Sequence, residues 1–200
     1  MNNKALIFYI VISVIFAMFS YFNIDIQLNT YIEANRTDFI KQSAELITLI
    51  GDAKYSYALI ILLLVYSLIA KRNCLTKKTS FALMAMFITT IITYISKFII
   101  GRSRPNMWLN NNEYTFNPFY FDNTYDYTSM PSGHTQTSFT VAILLCLFFP
   151  KYKYVFMTIA IASGLSRVVL SAHWLGDVVI GAMFGIVIPL LLWNKYSKKL

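Results

Sequence analysis

Residues 5–22 read ALIFYIVISVIFAMFSYF, a run of eighteen residues without a charge. A helix needs about 20 predominantly apolar residues to cross the hydrocarbon core of a bilayer. Lys4 precedes the run, as it would in a secretory signal peptide, but the stretch is long for one and no small-x-small cleavage site follows it. We therefore expect a retained transmembrane helix here.

The composition extends this expectation to the whole chain. Of the 200 residues, 57% are hydrophobic and 13% are charged, whereas a soluble domain carries about 25% charged residues. Similar uncharged runs recur along the sequence, which therefore predicts an all-α integral membrane protein with a single domain over residues 1–200. The six predicted transmembrane helices span about 4–22, 53–70, 79–100, 134–150, 153–171 and 175–194, with longer connecting segments at 23–52 and 101–133.

The charged residues predict the orientation of these helices. With both termini placed inside, the inner segments carry ten of the seventeen cations and none of the nine acids. Because an excess of Lys and Arg marks cytoplasmic segments, we expect both termini in the cytoplasm and segments 23–52 and 101–133 outside. The compact chain without an added soluble domain favours a bacterial inner membrane, so the outer side would face the periplasm. The net charge of +8 is then explained by the inner membrane surface, and no nucleic-acid partner is needed.

The two outer segments differ in character. In segment 23–52, the spacing of Ile40, Ala44, Ile47 and Ile50 fits a helix lying at the interface, with Gly51 as its terminator. Segment 101–133 is rich in aromatic residues, which form either an interfacial belt or a cover over a site. These residues are Trp108, Tyr114, Phe116, Phe119, Tyr120, Phe121, Tyr125 and Tyr127.

The unusual polar residues of the chain, which include both histidines, all fall on the predicted outer side. Lys97 and Arg104 are seven residues apart, which is two helical turns, so a continuous helix would point both cations to one face. Pro105 would then stop that helix. Taken singly, each cation also fits an ordinary interfacial residue.

The next group, Pro131-Ser132-Gly133-His134, stands where a loop enters the fourth predicted helix. Free backbone amides at a helix start bind anions, and glycine lets an anion approach the backbone closely. Ser132 adds a hydroxyl donor. A plain capping turn with an incidental histidine is the alternative.

The last group lies between the fifth and sixth predicted helices. His173 and Asp177 are four residues apart, so the carboxylate can accept a hydrogen bond from one ring nitrogen and leave the other as nucleophile or base. Arg167 can turn its planar fork to the same place. A purely structural His–Asp pair is the alternative.

These residues carry a family resemblance. Lys-x6-Arg-Pro (97–105), Pro-Ser-Gly-His (131–134) and Ser-Arg-x5-His-x3-Asp (166–177) resemble, in order and type, the three motifs of the phosphatidic-acid phosphatase type 2 superfamily. That superfamily also includes glucose-6-phosphatase and vanadium haloperoxidases. The resemblance extends over residues 80–195 and implies a bacterial membrane lipid phosphatase with its site at the outer ends of the third to sixth predicted helices.

The resemblance also implies roles for individual residues. His173 would attack phosphorus to form a phosphohistidine, Asp177 would orient it, and His134 would protonate the leaving group and then activate water. The phosphoryl oxygens would be bound by Lys97, Arg104, Arg167, Ser132 and Gly133. With two histidines and no Cys-x-x-Cys in the chain, the sequence predicts neither a metal site nor a cofactor.

Three functions fit these residues. The first is a phosphatase acting on a lipid phosphate such as lipid A, undecaprenyl diphosphate or a phospholipid phosphate. The second is a phosphotransferase that passes the phosphoryl group to a lipid hydroxyl. The third is a non-catalytic lipid-phosphate binder or transporter, which would not require the pair of histidines and the carboxylate.

Overall fold

The computed structural model describes residues 3–119 and 125–197. Within these ranges the chain forms nine α-helices, and Arg102 and Phe116 make an isolated antiparallel bridge. The predicted all-α membrane fold is confirmed. The helices are α1 (Asn3–Asn23), α2 (Asp25–Asn35), α3 (Asp38–Thr48), α4 (Ala53–Ile69), α5 (Asn73–Ile100), α6 (Pro105–Asn111), α7 (Gly133–Phe148), α8 (Lys153–Val169) and α9 (Leu175–Tyr196), with short 3₁₀ turns at Leu49–Gly51, Tyr125–Tyr127 and Pro150–Tyr152.

Each of the six predicted transmembrane ranges coincides with a helix, namely α1, α4, α5, α7, α8 and α9. Among the described residues, four helical stretches are long and apolar enough to cross a bilayer: Lys4–Asn23, Asp38–Ile69, Asn73–Ile100 and Leu175–Tyr196. Helices α7 and α8 are shorter, at 16 and 17 residues. The crossing of all six helices therefore stays a prediction.

Segment 23–52, which is predicted to lie outside, contains the two helices α2 and α3. The amphipathic α3 begins after Thr37, whose side chain accepts from the Ile40 amide, and it packs on α8 with Ala44 buried. Gly51 ends the 3₁₀ turn that follows α3. Because this turn also contacts α7 and α8, segment 23–52 is anchored on the helices that carry the second and third motifs.

The expectation for the first motif was wrong in one respect. Helix α5 ends at Ile100, because Gly101 adopts a left-handed conformation with φ 59° that glycine reaches at little cost. Pro105 is the first residue of α6 and does not stop a helix. Lys97 and Arg104 are consequently not two turns apart on one helix, and their proximity depends on the turn between them.

Close packing of α7 on α9 positions the second motif. A Cβ atom on Gly181 would lie 2.6 Å from the Ser132 carbonyl oxygen, and one on Gly185 would lie 2.6 Å from that of Gln136. Small residues let two helix backbones approach in this way. The Ser132 amide also donates to the Asp177 carbonyl at 3.0 Å, so the start of α7 is fixed against the first turn of α9.

Candidate active site

The start of α7 faces a cavity. Ser132 is the residue before the helix and Gly133 is its first residue. A Cβ atom built on Gly133 meets nothing within 4 Å, so the space beside its backbone is open. Gly133, His134 and Lys97 line the same cavity of about 250 Å³, which also borders the start of α4.

Ser132, a predicted phosphate donor, directly precedes α7, and its hydroxyl already has a partner. It is fully buried and accepts from the Thr135 hydroxyl at 3.0 Å. Its own proton remains available for donation.

Lys97 and Arg104 converge on one carbonyl oxygen. The Lys97 ammonium and the Arg104 Nη2 both donate to the Thr128 oxygen, at 2.5 and 3.2 Å. Two cations sharing one backbone acceptor form an arrangement that can equally hold a phosphoryl oxygen. The first motif therefore brings its two cations together, although the route differs from the expected continuous helix.

The turn after the aromatic segment orients Arg104. Its Nε donates to the Tyr125 carbonyl oxygen at 2.8 Å, and its guanidinium lies 3.7 Å from the centre of the Tyr125 ring. Its Nη1 donates to the Ala172 carbonyl at 2.8 Å and lies 3.4 Å from Nε2 of His173. Arg104 thus links the first motif to the third.

Arg167 approaches the same place from α8. Its Nη1 donates to the Thr48 hydroxyl at 2.8 Å, while its Nε is buried without a hydrogen-bond partner among the described residues. The charges of Arg167, Arg104 and Lys97 all act on His134. The same Lys97 and Arg104 charges act on His173. Two of the predicted cations therefore act on both histidines, whereas Arg167 acts on His134.

The two ring nitrogens of His173 face different groups. Nε2 faces Arg104, and Nδ1 lies 3.7 Å from Oδ2 of Asp177. That separation is too long for a hydrogen bond, so the expected hydrogen bond is replaced by a close approach. Burial lowers the pKa of His173 well below its ordinary value. A neutral imidazole with Nδ1–H directed at Asp177 leaves the Nε2 lone pair directed at the cations.

The carboxylate of Asp177 has other partners, which the motifs did not indicate. Oδ1 accepts from Nη1 of Arg102 at 2.8 Å, and Oδ2 accepts from the Ser129 hydroxyl and from the Trp174 amide at 2.9 Å. Nη2 of Arg102 in turn donates to Asp25 at 2.6 Å. The sequence analysis missed Ser129, Arg102 and Asp25 as parts of the site.

A sequence signal for two of them did exist. Asp25 follows the first apolar run by three residues, and Arg102 follows the third predicted helix by two. Ionisable residues at membrane edges are costly and are functional suspects by default. The two residues are 77 positions apart in the sequence. The location of a residue at a membrane edge does not predict which residue it will contact in the fold.

Aromatic residues of segment 101–133 contact both Arg104 and Arg102. Tyr125 stacks on Arg104, and Tyr114 donates to the Tyr21 carbonyl oxygen while its ring packs edge-on against Trp174. Tyr120 and Phe121, which belong to the same aromatic series, lie outside the described residues, as do Asp122, Lys198 and Lys199.

Among the described residues no group of three or more His, Cys, Asp or Glu is placed to hold a metal ion.

Apolar helices that carry cations and imidazoles at their ends are typical of a membrane protein that acts on an anionic substrate. Comparison with known families makes this specific: the model of the PAP2 superfamily matches residues 78–200. The chain belongs to the PAP2 superfamily, which confirms the resemblance read from the three motifs. It is a phosphatase of phosphate esters or anhydrides and, more closely, a bacterial membrane lipid phosphatase.

Individual relatives agree with this assignment. The chain is 27% identical to the lipid A 1-phosphatase of Rhizobium etli, over 82% of this chain and 75% of that protein. It is 30% identical to the lipid A 1-phosphatase of Rhizobium johnstonii, over 76% of this chain and 66% of that protein. An undecaprenyl-diphosphatase of Sulfolobus acidocaldarius is 31% identical over 55% of this chain and 52% of its own length.

Two solved structures share the fold. A PAP2-type phosphatidylglycerolphosphate phosphatase from Bacillus subtilis superposes with a TM-score of 0.73 at 18% identity, over 98% of this chain and 96% of that one. Aquifex aeolicus LpxE superposes with a TM-score of 0.66 at 20% identity, over 85% and 94%.

Proposed function

We propose that this phosphatase releases phosphate from a lipid phosphate through a phosphohistidine on His173. The observation that carries the proposal is the position of Nε2 of His173, 3.4 Å from Arg104, whose guanidinium shares the Thr128 oxygen with Lys97. A phosphate held by these cations would present its phosphorus to the imidazole lone pair. Fixed donors of this kind supply most of the stabilisation that phosphoryl transfer requires.

The first step forms the phosphoenzyme. The Nε2 lone pair of His173 attacks phosphorus, and the bond between phosphorus and the lipid oxygen breaks with its electron pair going to that oxygen. Protonated His134 gives its proton to the leaving oxygen. Lys97, Arg104, Arg167, Ser132 and the Gly133 amide bind the phosphoryl oxygens, and the charge of the bound phosphate offsets the cations around His134.

The second step regenerates the enzyme. Neutral His134 takes a proton from water, the oxygen of that water attacks phosphorus, and the phosphorus–nitrogen bond breaks with its electron pair returning to Nε2. Asp177 faces Nδ1 throughout and stabilises the positive charge that develops on the ring. Inorganic phosphate then leaves.

The proposed topology follows from the charge distribution. The single domain of residues 1–200 would cross the bacterial inner membrane six times, with both termini in the cytoplasm. The site at the ends of α5, α7, α8 and α9 would face the periplasm. Support comes from the coincidence of the six predicted ranges with helices and from the inner placement of the loop cations Lys71, Arg72, Lys151 and Lys153.

The cavity supports a substrate whose phosphate is attached to a polar headgroup. Beside Lys97 and His134 its wall includes Thr90, Gln136 and Thr137, which are better suited to hydroxyls than to a bare prenyl chain. A phosphorylated glycolipid such as lipid A has this character. Undecaprenyl diphosphate and phospholipid phosphates are the competing substrates.

A panel of lipid phosphates tests the substrate. Purified protein in detergent is incubated with lipid A bearing a 1-phosphate, undecaprenyl diphosphate, phosphatidic acid and phosphatidylglycerol phosphate, and free phosphate is measured. We expect the highest kcat/KM with lipid A. A higher value with undecaprenyl diphosphate would contradict the headgroup argument, and recovery of the phosphate in a new lipid ester would indicate a phosphotransferase.

The same reaction tests the absence of a metal requirement. Because the proposed stabilising charges are side chains of the protein, phosphate release should continue unchanged after incubation with EDTA. The control is the same sample with EDTA and an excess of Mg²⁺. Loss of activity on chelation, with recovery on adding metal, would contradict the proposed mechanism.

A further inference from the structure

A buried ion pair lies directly behind the carboxylate that faces His173. Arg102 and Asp177 are fully buried and Asp25 is 1% exposed. The Arg102 guanidinium bridges the two carboxylates, with Nη1 at 2.8 Å from Asp177 and Nη2 at 2.6 Å from Asp25. Asp177 therefore has two charged neighbours, Arg102 on one side and His173 on the other.

Asp25 is held by its own set of donors. Its Oδ1 accepts from the Ser20 hydroxyl at 2.7 Å and from the Gly176 amide at 3.3 Å. Gly176 precedes Asp177 in the first turn of α9, so Asp25 reaches the catalytic turn by a second route besides Arg102. This carboxylate connects the junction of α1 and α2 to the start of α9.

Aromatic rings enclose the pair and exclude water from it. The Arg102 guanidinium lies between 5.1 and 5.7 Å from the ring centres of Tyr21, Tyr114, Phe116 and Trp174. Burial by itself would lower the pKa of Arg102, but Asp177 and Asp25 raise it above its ordinary value. The guanidinium is a permanent charge next to Asp177.

Stability alone is a weak reason for such an arrangement. A buried ion pair carries a large desolvation penalty, and apolar residues of similar volume often replace it without loss of stability. The position of this pair is what distinguishes it, because its charge acts on the carboxylate that lies 3.7 Å from the nucleophilic imidazole.

We propose that Arg102 and Asp25 are positioning residues that fix Asp177 and set the charge that His173 experiences. Arg102 offsets the negative charge of Asp177, and Asp25 offsets part of the positive charge of Arg102. The other charged groups that act on His173 are Arg104 and Lys97. The balance among these groups determines how readily His173 takes a proton, and only its neutral form can attack phosphorus.

Asp25 also lies outside residues 78–200, the range matched by the PAP2 family model. The inference therefore assigns a part in the chemistry to the N-terminal helices. It rests on the proposed role of His173 as the nucleophile.

The test is the pH dependence of kcat/KM, whose acid limb reports protonation of the essential base in the free enzyme. Asp25→Asn removes a negative charge that offsets the charge of Arg102. The remaining positive charge disfavours protonation of His173, so the acid limb should move to lower pH by about 0.5–1 unit. The double variant Asp25→Asn with Arg102→Gln removes the cation beside Asp177. Its acid limb should move by a similar amount to higher pH.

Glu33→Gln is the matched control. Glu33 is an outer acid on the same helix as Asp25, and it pairs with Arg36 and Ser171. The change in net charge is the same as in Asp25→Asn, so the acid limb should not move. All variants use one lipid phosphate, so the titration of the substrate is common to them, and thermal unfolding in detergent reports folding.

Opposite shifts in the two Asp25 variants, with none in the control, support the proposal, because loss of packing would not reverse sign. If Asp25→Asn does not fold, the double variant, which leaves no unpaired Arg102 charge, carries the test through its shift to higher pH. Folded variants with an unmoved acid limb, or an equal shift in Glu33→Gln, overturn the proposal. The proposed function is judged separately, by phosphate release from the unmodified protein.

Discussion

Replacing His173 with asparagine should reduce phosphate release by roughly 10⁴-fold or more, because removing the nucleophile of a covalent mechanism eliminates its first step. Asparagine keeps a polar group of moderate size beside Arg104 and Asp177, so the fold should persist. Released phosphate gives the rate, and thermal unfolding in detergent verifies folding. Binding of inorganic phosphate should remain, because the cations are unchanged.

The matched variant is His134→Asn. With a ³²P-labelled aryl phosphate, whose leaving group needs no proton, the first step should proceed while water activation is lost. We therefore expect an acid-labile label on the protein to accumulate in His134→Asn and to be absent in His173→Asn. Label on the His173 variant would assign the nucleophile elsewhere, and an unmodified protein that binds phosphate without turnover would identify a non-catalytic binder.

Arg104→Lys should lower kcat/KM by about 10²–10³-fold although it preserves the charge, since one donor to a developing oxyanion is typically worth that much. The guanidinium contacts the Tyr125 and Ala172 carbonyl oxygens and shares the Thr128 oxygen with Lys97. A lysine ammonium cannot span these acceptors in fixed geometry. The loss should appear with both lipid and small aryl phosphates, because it concerns the phosphoryl group.

Arg36→Lys provides the comparison. Like Arg104, Arg36 makes more than one contact, because it donates to the Val169 carbonyl oxygen at 2.7 Å and pairs with Glu33 at 2.9 Å. Neither partner is a residue proposed to bind or attack the phosphate, so replacing Arg36 should change kcat/KM by less than about threefold. Equal losses in the two variants would mean that Arg104 serves the fold and not the phosphate.

Hydropathy located the helices because a membrane-spanning segment is a one-dimensional property of the chain. The start of α5 was harder to place than its end, which was predicted at residue 100. Its start lies six residues before the predicted position, in a stretch that contains Lys77 and Lys78, and its end depends on the left-handed Gly101. Residues before a proline disfavour the helical conformation, so the break before Pro105 was accessible from the sequence, but the convergence of Lys97 and Arg104 on Thr128 was not.

The candidate site, like α5, was predicted from the sequence only in part. The motifs singled out Lys97, Gly133 and His134, which line the cavity, because their residue types are chemically specific. They did not predict that the Asp177 carboxylate accepts hydrogen bonds from Arg102, Ser129 and the Trp174 amide. Nδ1 of His173 lies 3.7 Å from Oδ2 of the same carboxylate. Such contacts depend on how α1, α5 and α9 pack together, and three-dimensional packing is not encoded in the spacing of any one motif.

The contact between Asp25 and Arg102 limits how this protein can be shortened or recombined. A fragment beginning near residue 78 would contain every motif. It would lack Asp25, however, so the buried Arg102 would keep only Asp177 as a counterion. A chimera that borrowed its first two helices from another family member would need an acidic side chain at the equivalent depth. If Asp25 has the proposed role, the first two helices supply part of the charge that surrounds Asp177.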